Sequence, residues 1–350
     1  MSRAARAYTV WFFEEPEFID GDGDVRIEMQ ECGVRVVTPL LPKGLDTDRI
    51  NDSLRMLLAV LLSKVQPRRL VAWYYTPLAL QFADELMPDC CVYDNMDELS
   101  SFAGAPPGLL DYEDRLLAKC DVVYVGGHSL YAAKKDRHHD IHVFPSSVDA
   151  SHFQAARAVV AEPADQAAIP GPRLGFFGVI DERMDLGVVA RMAELRPQWH
   201  FVMIGPTAKI DEAALPRAPN IHWLGCKPYV DLPRYLAGWD VGVMPFAINE
   251  ATRFISPTKT PEFLAAGIPV ISTPIADVVQ PYGAAGHVAI ASDAEGFVAR
   301  AEELMARPRE PWLAAVDKHI AAMSWDETWN GMQQRMEMVA ANHIREAQRV

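Results

Sequence analysis

Residues 240–274 read DVGVMPFAINEATRFISPTKTPEFLAAGIPVISTP. Two short apolar runs, DVGVMPF (240–246) and PVISTP (269–274), flank a loop and a helical stretch, PTKTPEFLAAG (257–267), that ends on glycine. Runs of this kind are strands buried on both faces, so the segment is a strand, a loop, a helix and a strand of a parallel sheet. The helix has two candidate starts: Thr260 ahead of Pro261, and Ser256 ahead of Pro257 one turn earlier. Either start leaves amides and a positive helix end that favour an anion, and Lys259 adds a full charge suited to a phosphate or diphosphate. Glu262 is out of place beside an anion unless it accepts hydrogen bonds from sugar hydroxyls a few ångströms away. A ribose bearing a diphosphate would satisfy both residues. On spacing alone, a surface Lys–Glu pair worth about 0.2–0.5 kcal/mol is an equal alternative.

The same alternation runs outward from this segment. Upstream of it, RLGFFGVI (173–180), WHFVMIG (199–205) and NIHWLG (220–225) read as strands, with DLGVVARMAEL (185–195) as a helix between. An earlier set comprises YTVWFFEEP (8–16), VRVVTPL (34–40), RLVAWYY (69–75), CCVYDN (90–95), DVVYVG (121–126) and IHVFPS (141–146). Helical stretches at 48–65 and 107–120 lie among these strands. Residues 155–172, rich in Ala and Pro, separate the two sets and read as a linker. The organisation predicted is two doubly wound α/β domains facing a cleft, residues 1–160 and 170–320, with a helical tail at 321–350. Trp325, Trp329, Met332, Met336 and Val339 share one face of that tail. It either crosses back to the first domain or stays on the second; periodicity does not choose.

A formal charge of −14 carries no sign of nucleic-acid binding, which calls for a basic face. Five cysteines without a CxxC pair read as reduced, mostly buried thiols, and with no apolar run near ~20 residues the expectation is a cytoplasmic globular protein. A basic patch on the first domain would allow peripheral contact with the inner face of a membrane.

Several motifs are weaker. DGDGDVRIEMQE (20–31) imitates a calcium loop, but Val25 stands where glycine is needed, so a solvated turn is expected. His138, His139 and His142 cluster without a completing ligand and read as surface histidines; no metal is expected. Met323, Met332, Met336 and Met338 read as packing. GFFG (175–178) is not GxGxxG, which removes the main support for a nicotinamide dehydrogenase.

The order MPF…N…SPTKTPEFLAAGIPVISTP resembles the donor-binding segment of GT-B glycosyltransferases of the broad family 4 group, known as group 1. VYDNMDELSSF (92–102), GGHSLYAAKK (126–135), VFPSSVDASHF (143–153), GFFGVIDERMDL (175–186) and LGCKPYVDLPRYLAGWDVGVMPF (224–246) resemble, in the same order, bacterial enzymes of cell-wall and exopolysaccharide sugar transfer. The resemblance implies an acceptor domain followed by a nucleotide-sugar domain. It places Glu262 on the ribose and Ser256, Thr258 and Lys259 at the diphosphate. Gly178 would sit in the close turn near the diphosphate, Arg183 would stand near the family's basic phosphate ligand, and Lys259 would be the second cation. Gly205, Pro206, Lys227 and Tyr229 would border the base. Asp94 and Asp97 would face the cleft for acceptor contact or proton transfer, and His128 is either a cleft contact or a turn residue.

The chain departs from that pattern in two places. The family's first glutamate of a pair separated by seven residues is Phe254 here, so Asn249 or Glu250 would have to serve the sugar. Relatives also begin with a strand and loop ahead of the helix that MSRAARA resembles, so the first domain is expected to lack that strand. The activity implied is transfer of a sugar from a nucleotide-diphosphate donor to a glycan, glycolipid or small-molecule acceptor, with retention and without metal or other cofactor. The alternatives are an epimerase of the same fold or a non-catalytic nucleotide-sugar-binding partner.

Overall fold

The computed structural model describes residues 1–102, 104–159 and 161–347. Val160 of the expected linker and residues 348–350 of the expected tail lie outside them.

The first domain holds two sheets. In one, β4 (Arg35–Pro42) pairs parallel with β1 (Trp11–Phe13) and β2 (Glu17–Ile19), and antiparallel with β3 (Asp24–Met29). After α1 (Thr47–Val65), which is capped by the Asp46 side chain, the second sheet runs β5 (Val71–Tyr74), β6 (Cys90–Asn95), β7 (Val122–Val125) and β8 (Ile141–Val143). This sheet is wholly parallel, with α2 (Leu109–Lys119) and α3 (His128–Lys134) in its crossovers. β6 and β7 are buried along their whole length, as continuous apolar runs require. The DGDGDVRIEMQE stretch is not simply a solvated turn. Residues 20–23 turn, but Asp24–Met29 form β3, with Ile27 opposite Val37.

The second domain is a six-stranded parallel sheet in the order β11-β10-β9-β12-β13-β14. Its strands are β9 (Arg173–Phe177), β10 (His200–Ile204), β11 (Ile221–Gly225), β12 (Val241–Met244), β13 (Val270–Ser272) and β14 (Val288–Ile290). Alternation along each strand feeds two cores. Phe176, Phe201, Met203, Val241 and Val243 meet α4 (Leu186–Leu195) and α6 (Ala294–Ala306) on one face. Phe177, Val202, Ile204 and Met244 meet α5 (Lys259–Ala266) and α7 (Arg309–Ile320) on the other. Strand order reverses between the neighbours β9 and β12, so their C-terminal loops open the crevice where such sheets take ligands.

The expected linker is not a free connection. It holds helical turns at Ala155–Ala158 and Ala164–Ala167, and Gln166 is fully buried, donating to the Tyr235 carbonyl and accepting from Trp239 Nε1. Ala and Pro content signalled a boundary, while these buried hydrogen bonds fix the segment to the second domain. The tail, α8 (Trp325–Ala347), crosses back to the first domain. Met332, Met336 and Ala340 bury against Cys90, Val92, Val122 and Tyr124, and the Tyr124 hydroxyl donates to the Met332 carbonyl at 2.7 Å. Among the described residues no helix is long and apolar enough to cross a membrane.

Candidate functional site

The crevice begins where two backbones touch. Gly178, just past β9, and Gly205, just past β10, have φ of +138° and +145°, a region that only glycine enters freely. A Cβ on Gly205 would stand 1.8 Å from the Gly178 carbonyl oxygen, so no side chain fits between the two turns. The Pro206 carbonyl accepts from the Ile180 amide at 2.9 Å and joins the same loops. A Cβ on Gly178 would stand 2.0 Å from Lys259 Cε. The bare glycine backbone is thus the bed on which the lysine arm lies.

Lys259 opens α5. The helix start differs from both sequence expectations: Thr258 is the N-cap, no side chain caps it, and Pro261 falls at the third helical position. Thr260 is fully buried with its hydroxyl turned to the Met244 sulfur at 3.6 Å, which removes it from capping. Shifting the start back brings Lys259 and Glu262 into one turn. Desolvation pulls the Lys259 ammonium down and Arg183 adds to this, while Glu262 and Asp181 oppose both. Burial pushes the Glu262 carboxyl up to about 7, against the pull of Lys259.

Arg183 lies in the loop after β9 and pairs with Asp181 at 2.6 Å, with further bonds from Nε at 3.0 and 3.1 Å. Burial raises the Asp181 carboxyl, but the Arg183 hydrogen bonds outweigh it and the net shift is downward. From the first domain, the Phe102 ring sits 5.7 Å from the Arg183 guanidinium and 5.3 Å from Lys209 Nζ. Asp97, Asp181, Arg183, Ser256, Thr258 and Lys259 line one cavity of about 180 Å³ between the domains. Burial raises the Asp97 carboxyl while Arg183 opposes.

Asp94 does not share this cavity, contrary to expectation. Alternation on β6 turns it to the opposite side, where it is buried and Trp73 Nε1 donates to it at 3.2 Å. Burial raises its carboxyl to about 6, against that bond and the Met1 amino group. His128 is exposed at the start of α3, beside a close domain contact. Asp277 of the second domain accepts from the Ser129 amide at 2.9 Å and hydroxyl at 3.1 Å. A Cβ on Gly127 would stand 1.8 Å from Asp277 Oδ2, so glycine there sets how near the domains come.

Other expected site residues have structural partners. Lys227 pairs with Asp165 at 2.7 Å, which takes its charge away from the base position. Tyr229 stacks on His152 at 4.4 Å and 11°, with Glu262 close enough to raise its hydroxyl further after burial has done so. Asn249 forms a capping box with Thr252, and the exposed Glu250 faces Arg253 at 3.4 Å, so neither lines the cavity. Phe254 packs against the first domain's apolar cluster around Tyr74, Leu80 and Leu116. The Arg253 guanidinium lies 5.1 Å from the centre of the Phe254 ring. Asp181, Asp277 and Phe102 were missed by the sequence reading. Asp181, two residues before Arg183, could have been found as a short-range charge pair, but contacts across the domains leave no local pattern.

Two such parallel-sheet α/β domains, facing a cleft and tied by a returning C-terminal helix, make the chain a GT-B protein. Residues 171–307 match the family model described as Glycosyl transferases group 1, and these residues form a domain of that group. The chain is 30% identical over 139 residues to the putative teichuronic acid biosynthesis glycosyltransferase TuaH of Bacillus subtilis (strain 168). That match covers 38% of this chain and 34% of the relative, so about a third of the curated protein's length is spanned. Sucrose-phosphate synthase from Thermosynechococcus elongatus shares the fold with a TM-score of 0.71 at 15% identity, covering 97% of this chain and 91% of that one. Anabaena HepE, solved in complex with UDP and glucose, has a TM-score of 0.62 at 12% identity, with 91% and 88% covered.

Proposed function

We propose that the chain is a glycosyltransferase that binds a nucleotide-diphosphate sugar in the cleft and passes the sugar, a hexosyl group, to a glycan, glycolipid or small-molecule acceptor. The observation that carries this is the Lys259 arm seated on Gly178, with Arg183, Ser256 and Thr258 around the same cavity. A diphosphate placed there meets an ammonium, the end of α5 and a guanidinium that Asp181 already pairs, with the Asp97 carboxylate in the same lining. The ammonium, the guanidinium and the helix end would stabilise the charge that develops on the leaving diphosphate. The desolvated ammonium gains most from an arriving anion, since it lacks water to compete.

Glu262, one turn on, suits the ribose: a carboxylate accepts from two neighbouring hydroxyls, and their arrival would favour its ionised form. In transfer with retention the leaving phosphate oxygen takes the acceptor proton, and no side-chain base is needed. Should the reaction invert, Asp97 is the carboxylate at hand, because Asp94 faces the other way. Phe254 favours a second reading, a protein that binds the donor without transferring, since a phenyl ring packed on the first domain stands where the family has a sugar-binding carboxylate.

The test is a thermal-shift panel of UDP-, GDP-, ADP- and dTDP-sugars, followed by release of nucleotide with and without acceptor glycans. Stabilisation by one donor class and acceptor-dependent release support transfer. Stabilisation without release supports the binding reading, and stabilisation by none of the panel removes both.

A further inference from the structure

β6 runs into a loop, residues 96–102, that carries the first domain into the cleft. Met96 and Asp97 line the Lys259 cavity, and Phe102 reaches Arg183 and Lys209. A buried hydrogen-bonded circuit holds this loop. Asn95, 1% exposed at the end of β6, donates from Nδ2 to the Asp97 carbonyl at 2.9 Å and to the Tyr93 hydroxyl at 2.7 Å. That hydroxyl donates to Glu113 Oε1 of α2 at 3.1 Å. Lys134, the last residue of α3 and also 1% exposed, stands 2.6 Å from the same oxygen and 2.7 Å from Glu98 Oε2. The other Glu98 oxygen accepts from the Ser100 hydroxyl at 2.7 Å. The circuit thus starts at the Asp97 carbonyl and returns to the loop one residue later.

Arg137 adds a second cation, 2.7 Å from Glu113 Oε2 and 2.7 Å from Asp114. Burial raises the Glu113 carboxyl, but the bonds from Lys134 and Arg137 outweigh it and the net shift is downward. Charges buried this deeply lose hydration that their attraction hardly returns, and apolar side chains of like volume are often as stabilising or more so. The same helices show that alternative, since Leu116, Leu117 and Leu130 are ordinary core beside Glu113 and Lys134. What the ionic circuit supplies and an apolar one lacks is direction, because hydrogen bonds fix where each partner stands. The first turn of α3 is held by the second domain, where Asp277 accepts from the Ser129 amide and hydroxyl. One short helix therefore joins a contact between the domains to the loop that enters the cleft.

We propose that Lys134 is a positioning residue which, through Glu98, holds the 96–102 loop so that Asp97 meets the acceptor beside the donor in the Lys259 cavity. This rests on the donor-site reading and adds a role to it. Lys134 touches neither substrate; it acts through the loop it tethers. With the tether cut, Lys259, Arg183 and the end of α5 still receive the diphosphate, since all three belong to the second domain. Asp97 is then no longer held at its place, and the contact with the acceptor is lost while the donor stays bound.

The experiment uses the full chain with Glu98→Ala and Glu98→Gln. Lys134→Met would strand two carboxylates in the core, whereas loss of Glu98 leaves Lys134 on Glu113 and Arg137 on Asp114. In Glu98→Ala, hydrogen exchange at the Ser101 and Phe102 amides, which bond within the loop, should quicken about tenfold while β6 and α3 keep their protection. Burial now raises the Asp97 carboxyl, so its carbon-13 titration, identified by its absence in Asp97→Asn, should fall toward the ordinary 3.8. Glutamine keeps one oxygen for Lys134 and should stay near wild type in both readings. In nucleotide release with an acceptor glycan, Glu98→Ala should lower kcat on the order of a hundredfold and weaken the donor Kd no more than about fivefold, the worth of the Phe102 contact. An Asp97→Asn/Glu98→Ala double variant should be no slower than Asp97→Asn. Unchanged exchange at those two amides, an unmoved Asp97 titration, or additive losses in the double variant would overturn the proposal. Exchange and titration use no ligand, so a wild-type protein that binds no nucleotide sugar would remove the donor-site reading while the tether is still decided.

Discussion

Replacing Glu262 with Gln should stabilise the free protein at alkaline pH and weaken its hold on a nucleotide. Burial lifts this carboxyl from an ordinary 4.5 to about 7. Below the lower value the group is protonated in folded and unfolded chains alike, and the shift has no effect on stability. Between the two values the unfolded chain has released the proton that the folded chain still binds, so stability falls as pH rises. Above the upper value the loss is complete, at about 3 kcal/mol for a shift of this size. Glutamine keeps the shape and never ionises, so most of that loss should be recovered at pH 8 and little of it at pH 5. For a domain of this size the gain corresponds to a Tm higher by about 6 °C or more, readable by calorimetry at the two pH values. The same variant should bind nucleotide diphosphates about tenfold or more weakly, because a charged acceptor for the ribose is worth about 1.5–3 kcal/mol. Equal Tm values at pH 8, or a gap that widens toward pH 5, would refute the buried-carboxylate reasoning.

Lys259→Ala should cost about 1.5–3 kcal/mol of diphosphate affinity, measured by titration calorimetry, with the fold retained. Gly178→Ala strains a backbone held at φ +138°, which should lower the Tm, and forces the lysine arm off its bed, where a Cβ would stand 2.0 Å from Cε. Its loss of affinity should therefore match that of Lys259→Ala, and the double variant should be no worse than either, which a double-mutant cycle reads. Gly205→Ala places a Cβ against backbone, 1.8 Å from the Gly178 oxygen, and should lower the Tm as well as the affinity. Tyr124→Phe removes the bond to the Met332 carbonyl and should cost about 0.5–1.5 kcal/mol in denaturant unfolding by loosening α8.

Much of the architecture was legible because it depends on short-range patterns. Continuous apolar runs mark strands buried on both faces, and the restart after residue 172 marks a second sheet; β9 through β13 follow from these two signals, while β14, three residues long and only partly buried, was not read. β2 and β3 were not legible: Glu17–Ile19 and Asp24–Met29 are mostly exposed, so they lack the apolar run that betrays a buried strand. The course of α8 was undecided because an apolar face records that a helix packs, not against what. At the site, Lys259 and Glu262 were placed at a helix start, although Thr258 rather than Thr260 or Ser256 is the cap, and their spacing alone left a surface pair as an equal alternative. The direction of Asp94 was misread by treating two aspartates three residues apart as equivalent, when Asp94 lies within β6 and Asp97 in the loop beyond it. Lys227 and Asn249 found partners, Asp165 and Thr252, that only the folded chain brings to them.

The most direct measurement is a crystal structure of the protein soaked with the donor that gives the largest thermal shift. The diphosphate should lie within hydrogen-bonding distance of Lys259 Nζ and the Gly178 turn, with ribose hydroxyls on the Glu262 carboxylate. A nucleotide bound elsewhere, with Lys259 and Glu262 untouched, would contradict the account.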